Sequence, residues 1–223
     1  MIELYLDVSD RFYSIQGESS WAGLPCLFIR LSGCNLRCNY CDSSYTWEET
    51  GKTTSFGEIL SWVDEFPGTM VELTGGEPLL QKEVYPLIDI LLDRGRTVLV
   101  ETNGSININK IPQTASIILD IKCPDSNMDS SMNWDNIEQL FKRASQGSHD
   151  EVKFVLSSEK DFIWAKKIVQ KHKLDKAVTV LFSPVEGSFE PRKLAELILQ
   201  YNLPVRLQLQ LHRILWPEYD RGV

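Results

Sequence analysis

The chain has 223 residues, 43% hydrophobic and 24% charged, an ordinary balance for a globular protein long enough to bury a sizeable core. A formal net charge of −8 with no basic stripe argues against nucleic acid as a partner. There is no apolar run long enough to span a membrane and no basic-then-apolar leader, so a cytoplasmic protein is expected.

In chain order, the first strand read from the pattern is 26–31, CLFIRL. It runs into GCNLRCNYCDS, where Cys34, Cys38 and Cys41 share one short loop. Helical periodicity covers 55–66, opened by the capping-box pair Ser55 and Glu58. The strand MVELT (70–74) leads into Thr74-Gly75-Gly76-Glu77-Pro78 and a helix over 81–94. TVLVET (97–102) ends in ETNG, and IILDIK (117–122) ends in DIKCP. A helix over 134–145, the strand EVKFVL (151–156) and a helix over 160–172 follow. The strand VTVLFS (178–183) ends in FSPVEG, before a helix over 190–201 and a last strand, VRLQLQ (205–210). This alternation predicts an α/β fold, a parallel sheet with helices outside it, in a single domain over 1–223. Six or seven strands are too few for a complete eightfold barrel, which leaves an open or partial barrel or a doubly wound sheet. In either, ligands gather at the carboxyl ends of the strands, where the suggestive motifs lie.

Five cysteines, three of them in one loop, suit metal binding better than a disulfide framework. Three thiolates can hold three irons of a cubane cluster and leave the fourth open to a substrate or cofactor, whereas electron-transfer clusters usually take four cysteines. Structural zinc wants four closed ligands, and no histidine or fourth cysteine adjoins the loop. Gly33, Asn35, Asn39 and Asp42 are loop formers that do not suit core packing. Cys26 reads as a buried strand residue and Cys123 as part of a strand-end turn. The paired glycines of TGGEP let a backbone edge approach a ligand closely. The lysines at 166, 167, 171, 173 and 176 read as a solvated face, and His149 and His172 as surface residues. Trp62, Trp134 and Trp164 lie in helical patterns and read as core or interface, and His212 and Trp216 have the spacing of a helical pair, for packing or for substrate contact. Arg30 reads as a surface ion-pair former or a ligand-binding cation, and Glu18 as a partner of its own turn or of a ligand.

The CxxxCxxC loop followed by GGEP resembles the radical S-adenosylmethionine superfamily. That resemblance implies an open partial (β/α) barrel of about six or seven mostly parallel strands with outer helices. It also implies a 4Fe–4S cluster on Cys34, Cys38 and Cys41, whose open iron is chelated by the amino and carboxylate groups of S-adenosylmethionine. Reductive cleavage of the sulfonium would give a 5′-deoxyadenosyl radical that takes hydrogen from a substrate. By the same resemblance Gly75 and Gly76 contact the methionine part and Tyr40 lies against adenine. Glu101, Lys122 and Ser183 reach ribose or carboxylate, with Asp42, Asp120 and Glu186 completing the cofactor site.

FYSIQGESSWAGLPCLFIRLSGCN, CDSSYTW and the closing QLHRILW and RGV resemble the 7-carboxy-7-deazaguanine synthases of queuosine and deazapurine biosynthesis. The resemblance implies a carbon–nitrogen lyase that contracts the ring of 6-carboxy-5,6,7,8-tetrahydropterin with loss of ammonia, assisted by Mg²⁺. Ile15, Gln16, Gly17 and Glu18 would meet the pterin edge, and Arg30 would hold the substrate carboxylate through charge-assisted bonds. Thr74 would touch the substrate beside the cofactor, and the carboxylate of Val223 would close over it. Ser43 would give its hydroxyl to Mg²⁺, a hard cation that takes few protein oxygens. Two positions depart from the commonest pattern: Ser19 stands where glycine is usual, and Ser43 where threonine is. A homodimer and a flavodoxin or ferredoxin reductant are further implications. The competing readings are an activase acting on a glycine of a partner protein and a non-catalytic iron–sulfur module. The first leaves YSIQGE and Arg30 without a purpose, the second TGGEP and ETNG.

Overall fold

A computed structural model describes residues 3–219 and 221–223. In chain order its elements are β1 (Tyr5–Ile15), β2 (Pro25–Leu31), α1 (Tyr45–Glu48), β3 (Lys52–Ser55), α2 (Phe56–Asp64), β4 (Met70–Gly75), α3 (Val84–Asp93) and β5 (Val98–Thr102). They continue with β6 (Ser116–Asp120), α4 (Asp135–Ala144), β7 (Glu151–Leu156), α5 (Glu159–His172), β8 (Thr179–Pro184), α6 (Pro191–Gln200), β9 (Arg206–Leu207) and α7 (Leu211–Leu215). The strands form one sheet in the order β3-β1-β2-β4-β5-β6-β7-β8-β9. β1 is antiparallel to both neighbours, and every pairing from β2 to β9 is parallel. The sheet is open, with β3 and β9 at opposite edges.

The predicted strands are all present, each running parallel to its neighbours in the series, and the predicted helices lie between them. The capping box at α2 forms, Ser55 accepting from the Glu58 backbone while the Glu58 carboxylate accepts from the Ser55 N–H. Two strands, β1 and β3, were not read from the sequence. In β1 a bulge between Val8 and Asp10 breaks the alternation of apolar and polar residues on which recognition depends. β3, KTTS, has no apolar side chain and is held at the edge by pairing with Tyr5–Val8. The last predicted strand shortens to Arg206–Leu207, because the chain leaves the sheet edge for α7.

Side chains alternate between the two faces of each strand. One face, with Leu27, Ile29, Leu31, Val71, Leu73, Val98, Val100, Ile117, Leu119, Val152, Phe154 and Phe182, packs against α2 to α6 in one continuous core. Helix α3 contributes Val84, Leu87, Ile88 and Leu91, an i, i+3, i+4, i+7 stripe with no exposure. At about 1.5–3 kcal/mol for each fully buried aliphatic side chain, this helix-covered layer is the main source of stability. The other face holds only a small apolar group of Cys26, Phe28, Met70, Leu99 and Ile118, with Phe12 and Trp21 against it. Toward the strands' carboxyl ends that inner face turns polar.

A buried ion pair ties the α4–β7 connection to the sheet. The Arg143 guanidinium donates to Asp150 through Nε (2.7 Å) and Nη2 (3.1 Å) and to the carbonyls of Ile111, Pro112 and Ala115. Asp150 in turn accepts from the Ile117 N–H of β6 at 2.9 Å. Asp150→Ala leaves that guanidinium buried without its counter-charge and is expected to cost about 3–5 kcal/mol in urea unfolding. A loss under about 1 kcal/mol, the worth of an exposed pair, would refute the strut.

Candidate functional site

The cysteine loop leaves the end of β2 and is shaped by what surrounds it. Gly33, at φ +89, donates to the Thr46 carbonyl (2.7 Å) and accepts from the Glu77 N–H (2.8 Å). A Cβ on Gly76 would collide with the Gly33 carbonyl and lie 2.7 Å from Cys34 Cβ, so the second glycine of TGGEP lets the two loops touch. Asn103 of ETNG donates to Asn35 Oδ1 at 3.2 Å and approaches Cys34 Sγ at 3.9 Å. Asn39 is held by the Ser126 and Asp125 carbonyls. Arg37 donates to the carbonyls of Cys34 and Leu36 while its guanidinium lies 4.0 Å from the Trp47 ring centroid.

Cys34, Cys38 and Cys41 are free thiols and line one cavity. Among the described residues no three His, Cys, Asp or Glu side chains gather around one point as ligands of a single ion do. Burial raises the Cys34 thiol and pushes Cys38 up to about 11, so binding an iron cluster there must release protons.

The cavity is open to solvent at its mouth. Its floor is the polar inner face of the sheet. Lys153 of β7 sits between three carboxylates: Glu18 at 2.7 Å, Glu101 in direct contact, and Asp120 at 3.6 Å. Lys122 pairs with Asp120 at 2.9 Å, and Thr74 donates to Glu101 at 3.1 Å. Gln16 donates to the buried Glu72, and Gln210 donates to Glu18 at 2.7 Å. Burial alone would raise Glu101, but Lys153, Lys122 and Arg30 outweigh it and hold the carboxyl down at about 2. Glu72, deeper in the sheet, is held well above the carboxylate range by burial and by the Glu101 charge. Burial lowers Lys122 and Lys153, yet the carboxylates prevail and keep both ammonium groups above their ordinary range.

Of the residues singled out in the sequence, Ile15, Gln16, Gly17, Glu18, Arg30, Tyr40, Asp42, Ser43, Thr74, Gly75, Gly76, Glu101, Asp120, Lys122 and Val223 line this cavity with the three cysteines. Ser183 lies on β8, 2% exposed, and Glu186 is exposed with Arg213 3.6 Å away; neither is brought into the lining. Arg30 Nε and Asp120 Oδ1 are buried without a hydrogen-bond partner among the described residues. Glu18 engages Lys153 and Gln210 through its side chain, while its backbone N–H donates to Gln16 Oε1. Ser19 keeps φ +62, the glycine-favoured region, and its hydroxyl accepts from the Trp21 N–H at 3.1 Å. Tyr40 donates to the Val155 carbonyl at 3.0 Å.

Glu72, Asn103, Lys153 and Gln210 also line the site and were not singled out, and His212, read from its spacing with Trp216, lines it too. For Glu72 and Lys153 a signal existed: a charge in mid-strand, inside MVELT and EVKFVL, is costly unless paired. His212 packs against Gly17, and the Leu211 N–H donates to the Gly17 carbonyl at 2.9 Å, so the tail closes on the loop after β1.

Residues 28–126 match the model of the Radical SAM superfamily. The chain is 42% identical over 221 residues to a 7-carboxy-7-deazaguanine synthase of Chlorobaculum tepidum, spanning 99% of each chain. It is 39% identical over 233 residues to one of Koribacter versatilis, spanning 98% of this chain and 100% of that one. Its fold superposes on the crystal structure of QueE from Escherichia coli with a TM-score of 0.75 at 22% identity, over 93% of this chain and 95% of that one.

Glu77 carries a testable pH signature. Wholly buried, its carboxyl is pushed up to about 7 by burial, against donors from Asn103 N–H (2.7 Å), Leu79 N–H (3.0 Å) and the Thr102 hydroxyl (2.8 Å). The unfolded chain therefore ionises first, and stability falls as pH rises from about 4.5 to about 7, by roughly 3 kcal/mol in total. Urea unfolding across this window should show that slope reduced in Glu77→Gln, and an identical slope would refute the assignment.

Proposed function

The chain belongs to the 7-carboxy-7-deazaguanine synthases of the radical SAM superfamily, and from that premise we propose how its cavity serves their reaction. It is a radical SAM lyase, a 7-carboxy-7-deazaguanine synthase, with a 4Fe–4S cluster and S-adenosylmethionine as cofactors and a small molecule as substrate. The substrate in this reading is 6-carboxy-5,6,7,8-tetrahydropterin. Product and ammonia together account for all its atoms, so the ring contraction needs no net oxidant. When bound, the cluster and S-adenosylmethionine supply one-electron, radical-initiating chemistry, and the protein supplies position and exclusion of water.

Cys34, Cys38 and Cys41 are the cluster ligands in this reading, with Gly76 and Gly33 keeping a close-packed backbone beside them. Gly75, Gly76, Tyr40, Asp42, Glu101, Asp120 and Lys122 form the cofactor side, and the partnerless Asp120 Oδ1 is an acceptor available to a ribose hydroxyl or an ammonium. Ser183 and Glu186 are the outlying members of this group. Ile15, Gln16, Gly17, Glu18 and Thr74 form the pterin side, and the Val223 carboxylate closes over it. The observation that carries the reading is Arg30, whose buried Nε lacks a hydrogen-bond partner among the described residues, in the same cavity as the three thiols. A substrate carboxylate supplies that partner and adds a charge-assisted bond. Ser43 Oγ, 4.0 Å from Cys41 Sγ, takes Mg²⁺ together with substrate oxygens.

The reading further includes one catalytic domain over 1–223, a homodimeric assembly, a flavodoxin or ferredoxin as electron source, and a cytoplasmic setting. Among the described residues no helix is long and apolar enough to cross a membrane.

The test is anaerobic turnover of the reconstituted, reduced enzyme with S-adenosylmethionine, Mg²⁺ and the carboxytetrahydropterin, read by mass spectrometry. Formation of 7-carboxy-7-deazaguanine is expected; 5′-deoxyadenosine without it would reject the substrate. Arg30→Ala should raise the KM for the pterin about 10- to 150-fold, the loss of a hydrogen bond to a charged group, and an unchanged KM would remove Arg30 from the substrate site. Ser43→Ala should blunt the response of the rate to Mg²⁺, and an undiminished response would leave the metal without this ligand.

A further inference from the structure

Resting on the functional reading above, we infer that Lys153 is a positioning residue whose ammonium group holds Glu18 of the pterin loop and Glu101 of β5 in one arrangement, so that the substrate and cofactor halves of the site assemble together. Lys153 lies mid-strand on the inner face of β7, 4% exposed, in register with Asp120 of β6. Its Nζ donates to Glu18 Oε2 at 2.7 Å and to Glu101 Oε1. The other oxygen of each carboxylate is also taken: Glu18 Oε1 accepts from Gln210, and Glu101 Oε2 accepts from Thr74. One line of hydrogen bonds thus runs from the C-terminal segment through the pterin loop, β7 and β5 to the residue before the paired glycines.

Position, not proton transfer, is what such a lysine supplies. Three carboxylates surround it, and they keep its ammonium group charged throughout the neutral range. The electrostatic consequence is specific. Glu101 faces Lys153 from β7, Asp120 and Lys122 from β6 and its exit, Glu72 from β4, Arg30 from β2 and Glu18 from the loop after β1. His212 of α7 closes the same cavity beside Glu18. Asp42, Arg213 and Arg221 also line the cavity. Without Lys153, Glu18, Glu101 and Asp120 lose the cation they share, and buried like charges, Glu72 included, drive one carboxyl to take up a proton. Glu18 would also lose the contact that draws its loop onto the sheet.

The test compares wild type with Lys153→Met, which keeps the stem and removes the charge, and with Lys153→Arg. Pterin-6-carboxylate, followed by its fluorescence, is titrated into cluster-free protein, and amide hydrogen exchange is measured over residues 15–20. Lys153→Met should bind the probe at least about tenfold more weakly, the fold-change of a lost charge-assisted bond. Its affinity should also fall more steeply than that of wild type with acidification below about pH 7, and Lys153→Arg should recover much of both. Exchange over 15–20 should quicken in Lys153→Met while the helix-covered core is unchanged. Wild-type affinity, pH profile and exchange in Lys153→Met would overturn the inference. If Lys153→Met does not fold, Glu18→Gln takes its place: weaker binding with faster loop exchange supports the link, and wild-type values for both overturn it. A wild type that binds no carboxypterin would reject the substrate reading, and loop exchange alone would then decide the role of Lys153.

Discussion

The alternation of side chains along seven parallel strands governs everything else in this protein. One face of β2, β4, β5, β6, β7 and β8 is given over to the helix-covered core. The opposite face therefore has only a handful of positions per strand, and those near the carboxyl ends form the cavity floor. Ionic groups placed there are desolvated, and a buried charge persists only when paired and hydrogen-bonded. Glu101, Asp120, Lys122 and Lys153 meet that condition through one another, across strands β5 to β7. The cost of burial thus enforces the geometry: moving any one of these side chains strands another.

The cysteine loop obeys a different rule. It has no regular structure of its own between β2 and α1, so its shape is imposed from outside. Gly33 and Gly76 allow the backbones of two loops to touch, Glu77 closes that contact with its N–H, and its carboxylate reaches across to Thr102 and Asn103 at the end of β5. Asn103 completes the circuit back to the cysteine loop. Three motifs that stand apart in the sequence, CxxxCxxC, TGGEP and ETNG, are parts of one braced unit. That explains a glycine pair, both members of which lie against protein backbone, Gly75 on Leu31 and Gly76 on Gly33.

The strand–helix order, the capping box and the strand-end placement of the motifs were legible because each depends on local pattern. The cavity-lining cysteines, glycines and Arg30 were legible because their residue types are unusual at strand ends. What escaped was non-local. β3 exists only because Tyr5–Val8 lies beside it, and the bulge in β1 hides a strand of 11 residues. Gln210 joins the site because the tail returns to Gly17 and Glu18, nearly the whole chain away. Lys153 was hidden differently: its charge sits in a strand that reads as ordinary, and its three partners come from three other segments. Ser19 illustrates the converse, since its left-handed backbone survives without glycine because the loop geometry demands it and a hydroxyl bond to the Trp21 N–H compensates.

The charge balance of the cavity bears on what it can accept. Glu72 is driven toward its neutral form by burial, and on the cavity floor Glu18, Glu101 and Asp120 stand opposite Lys153, Lys122 and Arg30. Two of these cations are committed: Lys153 to Glu18 and Glu101, Lys122 to Asp120. Arg30 makes no such bond with any described residue. An anionic group entering the cavity therefore meets one cation whose hydrogen-bonding capacity is open, on β2, directly before the cysteine loop. A molecule of net charge −8 would otherwise repel an anion, so attraction must be local, and the low dielectric of the floor strengthens it. The floor thus balances its own charges inside an acidic protein, and the paired lysines make that possible by neutralising the carboxylates that hold the rest of the site in place.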